Sequence, residues 1–204
     1  MKYTELDEAG KARVREKNRR RYEPEYGWWE DTVEDMCGTV ALLGITVARN
    51  DQKNDKSYKV YFSGFWSQGD GACFVGRYAY KDDAVEKVKA DRPTDETIND
   101  IAQELAVFHI TCRLNGRACE RTVGIETTGS HRHSGTMRLQ GVPYFGYDDD
   151  DITEEEQDAL LQIMRSVADW MYRELEEEYE YLTSDEYLDE LLADEDVDEF
   201  YEIV

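Results

Sequence analysis

Apolar side chains recur every three or four positions through the last third of the chain, and this spacing constrains the fold more than any other feature. They stand at Leu160, Met164, Val167, Met171, Leu175, Tyr179 and Leu182. Such spacing places them along one face of a helix, which must be buried against other elements. Thr153 followed by Glu156 fits a capping box, so the pattern predicts a long helix over residues 153–182.

The same segment carries nearly all of the net charge. The 204 residues have a formal net charge of −23. Residues 148–204 hold 24 Asp and Glu against two basic residues, whereas residues 1–147 are close to neutral. We therefore expect a charge-balanced α+β body over residues 1–147, with an acidic helical segment over residues 148–204 packed on it as one domain.

The rest of the chain alternates between helix and strand patterns. Further helices are predicted at residues 4–22, 27–44, 82–90 and 94–114, and a short one after Ser184. Strand-like runs occupy residues 45–49, 58–65, 72–80, 118–127 and 135–142. Together they predict an α+β fold, with a small antiparallel sheet of four or five strands, packed helices and a long acidic C-terminal helix.

The first predicted helix is locally basic. Thr4 is its expected N-cap, and acids in its first turn are followed by seven Lys and Arg between residues 11 and 21. We interpret the basic run as a solvated helix face, and keep a small phosphate site as the alternative.

The stretch "YFSGFWSQGDGACFVG" (Tyr61–Gly76) contains four glycines. Two strand-like runs flank "WSQGDG", and Asp70-Gly71 tolerates the positive φ of a hairpin turn. We assign the glycines and Asp70 to turn geometry. That leaves part of the loop without a structural role and predicts an alternative ligand site, with aromatic and polar groups at Trp66, Ser67, Gln68, Asp70, His133 and Ser134.

Other chemistries find little support in the pattern. "GDGACFVG" has neither the spacing of a phosphate loop nor that of a dinucleotide loop. The four cysteines lack metal-ligand spacing and are expected to be reduced and mostly buried. His131 and His133 could offer two metal nitrogens, but we interpret them as solvent-facing. We expect no catalytic residue, no metal and no cofactor, so the protein is not predicted to be an enzyme.

The acidic segment predicts the kind of partner. Its field would repel nucleic acid and attract a basic protein surface, so direct binding of nucleic acid is not expected.

No run of apolar residues is long enough to span a membrane, and the N-terminus has no apolar leader, which predicts a cytoplasmic protein. Helices rich in Trp and Tyr offer apolar patches that would suit a homodimer.

Carboxylates along the long helix could imitate phosphates. Side chains three or four residues apart lie about 5–6 Å from each other on a helix. A helix over 152–182 would be about 46 Å long with about one net charge per 6 Å, against one per ~1.7 Å in duplex DNA, so alone it is a weak mimic. The alternative is a solvated face. The predicted partner surface comprises Asp148, Asp149, Asp150, Asp151, Glu154, Glu155, Asp158, Glu174, Glu177 and Glu178.

Five sequence motifs stand at Trp28-Trp29-Glu30, Leu43-Gly44-Ile45, Tyr61–Gly76, His133-Ser134-Gly135 and Glu178–Glu186. Together they resemble those of a mostly uncharacterised family of proteins encoded by bacteriophages, prophages and other mobile elements. The resemblance covers most of the chain from about residue 27. It implies a host bacterial cell and interference with host defence, and it supplies no catalytic residue. Some relatives carry an antitoxin label.

The function predicted first is a non-enzymatic anti-defence protein of the anti-CRISPR or anti-restriction kind. It would bind and inhibit a host nucleic-acid-targeting complex through the acidic C-terminal helices. One alternative is a small-ligand-binding protein or enzyme with its site at the "SQGDG" loop. Another is an antitoxin-like protein whose acidic tail covers a basic toxin.

Overall fold

A computed structural model describes residues 1–52, 55–117, 122–141, 152–198 and 200–203. Within these residues it confirms the α+β prediction. The six α-helices are α1 (Glu8–Asn18), α2 (Glu30–Leu42), α3 (Ala84–Asp91), α4 (Glu96–Leu114), α5 (Glu154–Leu182) and α6 (Asp185–Leu192). The six strands are β1 (Ile45–Val47), β2 (Val60–Phe62), β3 (Ala72–Phe74), β4 (Gly76–Tyr78), β5 (Val123–Thr127) and β6 (Met137–Gln140).

The strands form two antiparallel sheets. The larger sheet has the order β1-β4-β5-β6, and β2 pairs with β3 in a separate two-stranded sheet. The run predicted as one strand over 72–80 is therefore two strands in different sheets. The change of partner occurs at Val75, whose N–H donates to the Lys59 carbonyl at 3.0 Å while its own carbonyl accepts from Ala48 N at 2.8 Å.

The chain packs as two compact units. The first comprises Met1–Trp29 together with Leu175–Val204, and the second comprises Glu30–Glu174. The boundary expected between residues 147 and 148 lies outside the described residues, and the organisation built on it stays a prediction. No helix in the described part of the chain has the length and apolar character that a membrane crossing requires.

The apolar face of α5 is buried as its spacing predicts. In the second unit Leu160, Met164, Val167 and Met171 are at most 2% exposed, and burial of each such side chain contributes roughly 1.5–3 kcal/mol. The capping box at the start of this helix is confirmed. Glu156 N donates to Thr153 Oγ1 at 3.2 Å, and Thr153 N donates to the Glu156 carboxylate at 2.7 Å.

The first unit packs the N-terminal helix against the C-terminal segment. Its core contains Tyr3, Val14, Leu188, Leu192 and Val197. The helix begins later than expected, because Tyr3–Glu5 forms a 3₁₀ turn and the side chain of Asp7, rather than Thr4, caps α1 by accepting from Gly10 N. Ser184 caps α6, as predicted, by accepting from Tyr187 N.

Part of the basic run pairs with acids of the same unit, whereas Arg13, Arg20 and Arg21 are exposed, so the interpretation as a solvated face holds only for part of the run. Arg15 donates to both carboxylate oxygens of Asp189, at 2.8 and 2.9 Å. Lys17 Nζ lies 2.8 Å from the Glu202 carboxylate, and Arg19 forms an ion pair with Asp185. Part of the acidic charge of the C-terminal segment is therefore neutralised within the chain.

A buried histidine links α4 to the large sheet and makes stability depend on pH. His109 Nε2 lies 2.8 Å from the Tyr78 hydroxyl, and the side chain is 1% exposed. Burial, with a smaller contribution from Arg113, lowers its pKa to about 4. The unfolded chain therefore binds the proton more readily, so stability present above about pH 6.5 is lost as the pH falls towards 4.

Replacing that histidine should remove this pH dependence. We expect His109→Gln to lower the free energy of unfolding at pH 7, because the Gln side chain does not fill the buried space that the imidazole ring occupies. Between pH 7 and 4.5 the wild type should lose roughly 2 kcal/mol more than the variant. Urea denaturation at both pH values measures the difference, and parallel losses in the two proteins would show that His109 titrates normally.

Candidate functional site

The loop that joins β2 to β3 is held by Asp70. One oxygen of its carboxylate accepts from Trp66 N at 3.0 Å and from Ser67 N at 2.6 Å. The left-handed conformation lies at Gly69, with φ +99°, so the expectation of positive φ at Asp70-Gly71 is wrong. The loop is longer than a two-residue turn, and the side-chain hydrogen bonds of Asp70 organise it in place of a type I′ geometry.

Gly71 is required for a different reason, since it lies against His133. A Cβ added at Gly71 would stand 2.9 Å from the His133 Cβ. The carbonyl of His133 accepts from both the N–H and the hydroxyl of Thr136, at 3.0 and 2.8 Å. The "GDG" and "HSG" motifs therefore meet in space, which places His133 beside the hairpin by backbone packing.

The remaining loop residues are exposed and border an aromatic cluster. Trp66 is 78% exposed, and its ring meets that of Phe65 edge-on at 6.2 Å. Phe65 also packs on Tyr172 of α5 at 5.5 Å, while the Tyr172 hydroxyl donates to the Gly64 carbonyl at 2.9 Å. Ser67 and Gln68 are exposed at the tip, and Ser134 is half-buried. The arrangement presents an aromatic edge to solvent.

Metal and thiol chemistry have no assembled site in the described part of the chain. The rings of His131 and His133 are 6.2 Å apart, and no three His, Cys, Asp or Glu side chains among the described residues could hold a metal together. Cys37, Cys73 and Cys112 are buried, and burial raises the pKa of the Cys37 thiol to about 12. Cys119 lies outside the described residues.

The ten residues of the predicted acidic surface lie in different parts of the chain and differ in exposure. Asp148, Asp149, Asp150 and Asp151 lie outside the described residues. Glu154, Glu155 and Asp158 are exposed in the first turns of α5. Glu174 is half-buried near Arg92, with 4.0 Å between their charged atoms. In the first unit Glu177 is exposed and Glu178 is half-buried.

The carboxylates of α5 do not form a continuous row along the helix. No acid occurs between Asp158 and Asp169, which leaves about 16 Å of helix without a carboxylate at 1.5 Å per residue. Arg165 lies within this interval. A phosphate-like spacing of charges is thus limited, in this unit, to the first turns of the helix.

An apolar groove that was not predicted from the sequence lies beside these acids. It has a volume of about 670 Å³ and runs between α4 and α5. Val107 of α4 lines it and is 60% exposed, while the nearby Ile110 and Leu114 are 53% and 82% exposed. All three residues stand outside the buried stripe of α4. The sequence spacing could therefore have predicted a second, exposed apolar face on this helix.

Comparison with known proteins identifies the family. Residues 28–185 match a domain of unknown function, DUF8835. The chain belongs to this family. The DUF8835 match begins at Trp28 and contains both the β2–β3 loop and the groove between α4 and α5. No curated protein and no solved structure matches the chain.

Proposed function

We propose that this DUF8835 protein is a non-enzymatic binding protein that covers a basic surface of a host nucleic-acid-targeting complex. The observation that carries the proposal is the exposed group Glu154, Glu155 and Asp158 at the start of α5. Three exposed carboxylates within five residues produce a local negative field, which accelerates association with a basic surface. The phage-type resemblance of the motifs supports a target in host defence.

Ion pairs within the chain limit which carboxylates are available to a partner. In the first unit, Asp185, Asp189 and Glu202 contact Arg and Lys of the same chain. Such carboxylates are less available to a partner, because binding it would require breaking an existing ion pair. The first turns of α5 are therefore a better candidate surface than the C-terminal tail, and a limited contact is favoured over mimicry along the whole helix.

The first experiment is capture of partners from bacterial lysate at low and high salt, followed by mass spectrometry. The proposal expects a basic nucleic-acid-binding protein that is retained at low salt and elutes as salt rises, since exposed charges are screened. Recovery of no protein partner at either salt would contradict the proposal and favour the alternative ligand site at Trp66–Asp70.

Neutralising the acids should weaken capture. The triple variant Glu154→Gln, Glu155→Gln, Asp158→Asn is expected to lower affinity for the captured partner by at least about tenfold at moderate salt, with most of the change in the association rate. Surface plasmon resonance with the purified partner measures both rates. A small loss of helix stability, up to about 1 kcal/mol, accompanies removal of acids from a helix N-terminus.

A matched control carries the same change in net charge elsewhere. Glu16, Asp31 and Glu86 are exposed acids on α1, α2 and α3. Their triple replacement by Gln, Asn and Gln should change affinity by less than about threefold, because only long-range attraction is reduced. Equal losses in the two triple variants would show that overall charge, and not the start of α5, determines binding.

A further inference from the structure

The groove between α4 and α5 is apolar at its base and open to solvent. Val107, Phe108, Ala159 and Ile163 line it, and Cys112 is buried beneath. Exposed contiguous apolar surface on a soluble domain commonly marks a binding site. Along α4 the lining runs from Gln103 to Cys112, about 14 Å, which matches two to three turns of a helix.

Carboxylates border this apolar surface. Glu104 of α4 and Glu155 of α5 line the groove, as does Glu156, whose carboxylate accepts from Thr153 N and lies 3.8 Å from Arg117. Glu154 and Asp158 are exposed on the adjoining turns of α5. A second copy of this chain would bring like charges together, which is unfavourable. The charge pattern instead complements a segment that carries Lys and Arg on both sides of an apolar stripe.

We propose that the groove binds an amphipathic basic helix of the partner, so the inference rests on the proposed function and specifies its contact element. Apolar side chains at i, i+3 or i+4 and i+7 would pack on Val107, Ala159 and Ile163, in the manner of helix-in-groove recognition. Lys and Arg on the flanks would lie near Glu104 and Glu155. The carboxylates raise the association rate, and the groove sets which basic segments are retained.

A designed peptide tests this directly. The probe is a helix of about 18 residues with Leu at the spacing above and Lys elsewhere, long enough for measurable helicity. Its control has the same composition in scrambled order, which keeps the charge and removes the stripe. Isothermal titration calorimetry on the full chain should show micromolar binding of the probe, and binding of the scrambled peptide at least about tenfold weaker.

Uncharged variants locate the contact. Val107→Gln removes apolar surface and Ala159→Gln fills the groove, and each should weaken probe binding by about tenfold, as expected for a central contact. Ile110→Gln is the matched control, because Ile110 is a similarly exposed apolar residue of α4 that does not line the groove. It should change the affinity by less than about threefold.

Three results would overturn the inference, and they differ in what they leave standing. Equal binding of the two peptides would show recognition of charge alone, so the groove would fail while the proposed function survives. Binding of neither peptide at low salt would count against both. A fall in the melting temperature of Val107→Gln by several degrees, with Ile110→Gln unchanged, would show that other residues of this chain cover the groove.

Discussion

Asp189→Ala should destabilise the protein by about 2–4 kcal/mol, because it leaves two buried or half-buried polar groups without their main partner. The Asp189 carboxylate accepts from Arg15 and from the Tyr3 hydroxyl. Tyr3 is 1% exposed, and the Arg15 side chain is 12% exposed. Contacts of Arg15 with Asp185 and Glu8, at 3.6 and 3.9 Å, keep the loss below that of a fully isolated buried charge.

The pKa values of Tyr3 and Asp189 shift in opposite directions, and both shifts favour a hydrogen bond from a protonated Tyr3 to an ionised Asp189. Burial, followed by the hydrogen bond and charge of Asp189, raises the pKa of Tyr3. Burial acts to raise the pKa of Asp189, but hydrogen bonds from Tyr3 and Arg15 outweigh it, and the pKa of that carboxyl is lowered. The stabilisation is therefore present above the ordinary Asp pKa of about 4 and is lost as the pH falls below it.

Urea denaturation of the full chain measures this effect at pH 7 and at acid pH. Glu186→Gln is the control, since Glu186 is an exposed acid on the same helix, and it should change stability by no more than about 0.5 kcal/mol. A loss for Asp189→Ala as small as that of the control would mean that the contact between α1 and α6 contributes little to the stability of the first unit.

Gly76→Ala should cost at least about 3 kcal/mol, because the new methyl group has no space. Gly76 lies in β4, between Val47 of β1 and Ile125 of β5. A Cβ there would stand 2.4 Å from the Thr46 carbonyl oxygen and 3.1 Å from the Val47 Cα. Both atoms belong to the backbone, so relief would require the strands to separate.

Gly38→Ala provides a control of opposite sign. Gly38 lies within α2, is exposed, and has no atom within 4 Å of an added Cβ. Alanine there should stabilise the helix by about 0.5–1 kcal/mol. Thermal unfolding of both variants gives the comparison. A Gly76→Ala protein as stable as the wild type would contradict the close approach of β1 and β4.

Local patterns predicted the elements better than their partners. The period of the apolar residues in α5 and the capping residues Thr153 and Ser184 are local, and each was predicted from the sequence. The division of 72–80 at Val75 depends on hydrogen bonds to two separate segments, which no local pattern encodes. The start of α1 was misplaced because both Thr4 and Asp7 are acceptable caps, and the structure uses Asp7 after a separate 3₁₀ turn at Tyr3–Glu5.

The candidate surfaces show the same limit. Composition predicts how many carboxylates exist, but not that Glu174 lies near Arg92 or that Asp189 contacts Arg15. Those pairs join positions that are far apart in the chain. The exposed apolar face of α4 that carries Val107, Ile110 and Leu114 could have been predicted from its spacing, but the packing of Val107 beside Ala159 and Ile163 of α5, which makes the groove, could not.

Competition with nucleic acid tests the proposed function most directly. The partner captured from lysate is mixed with labelled nucleic acid, and binding is followed by fluorescence anisotropy as the protein is added. Covering of a basic surface predicts that the wild type displaces the nucleic acid, while the Glu154→Gln, Glu155→Gln, Asp158→Asn variant needs at least about tenfold more protein. Simultaneous binding of nucleic acid and protein to the partner would contradict it.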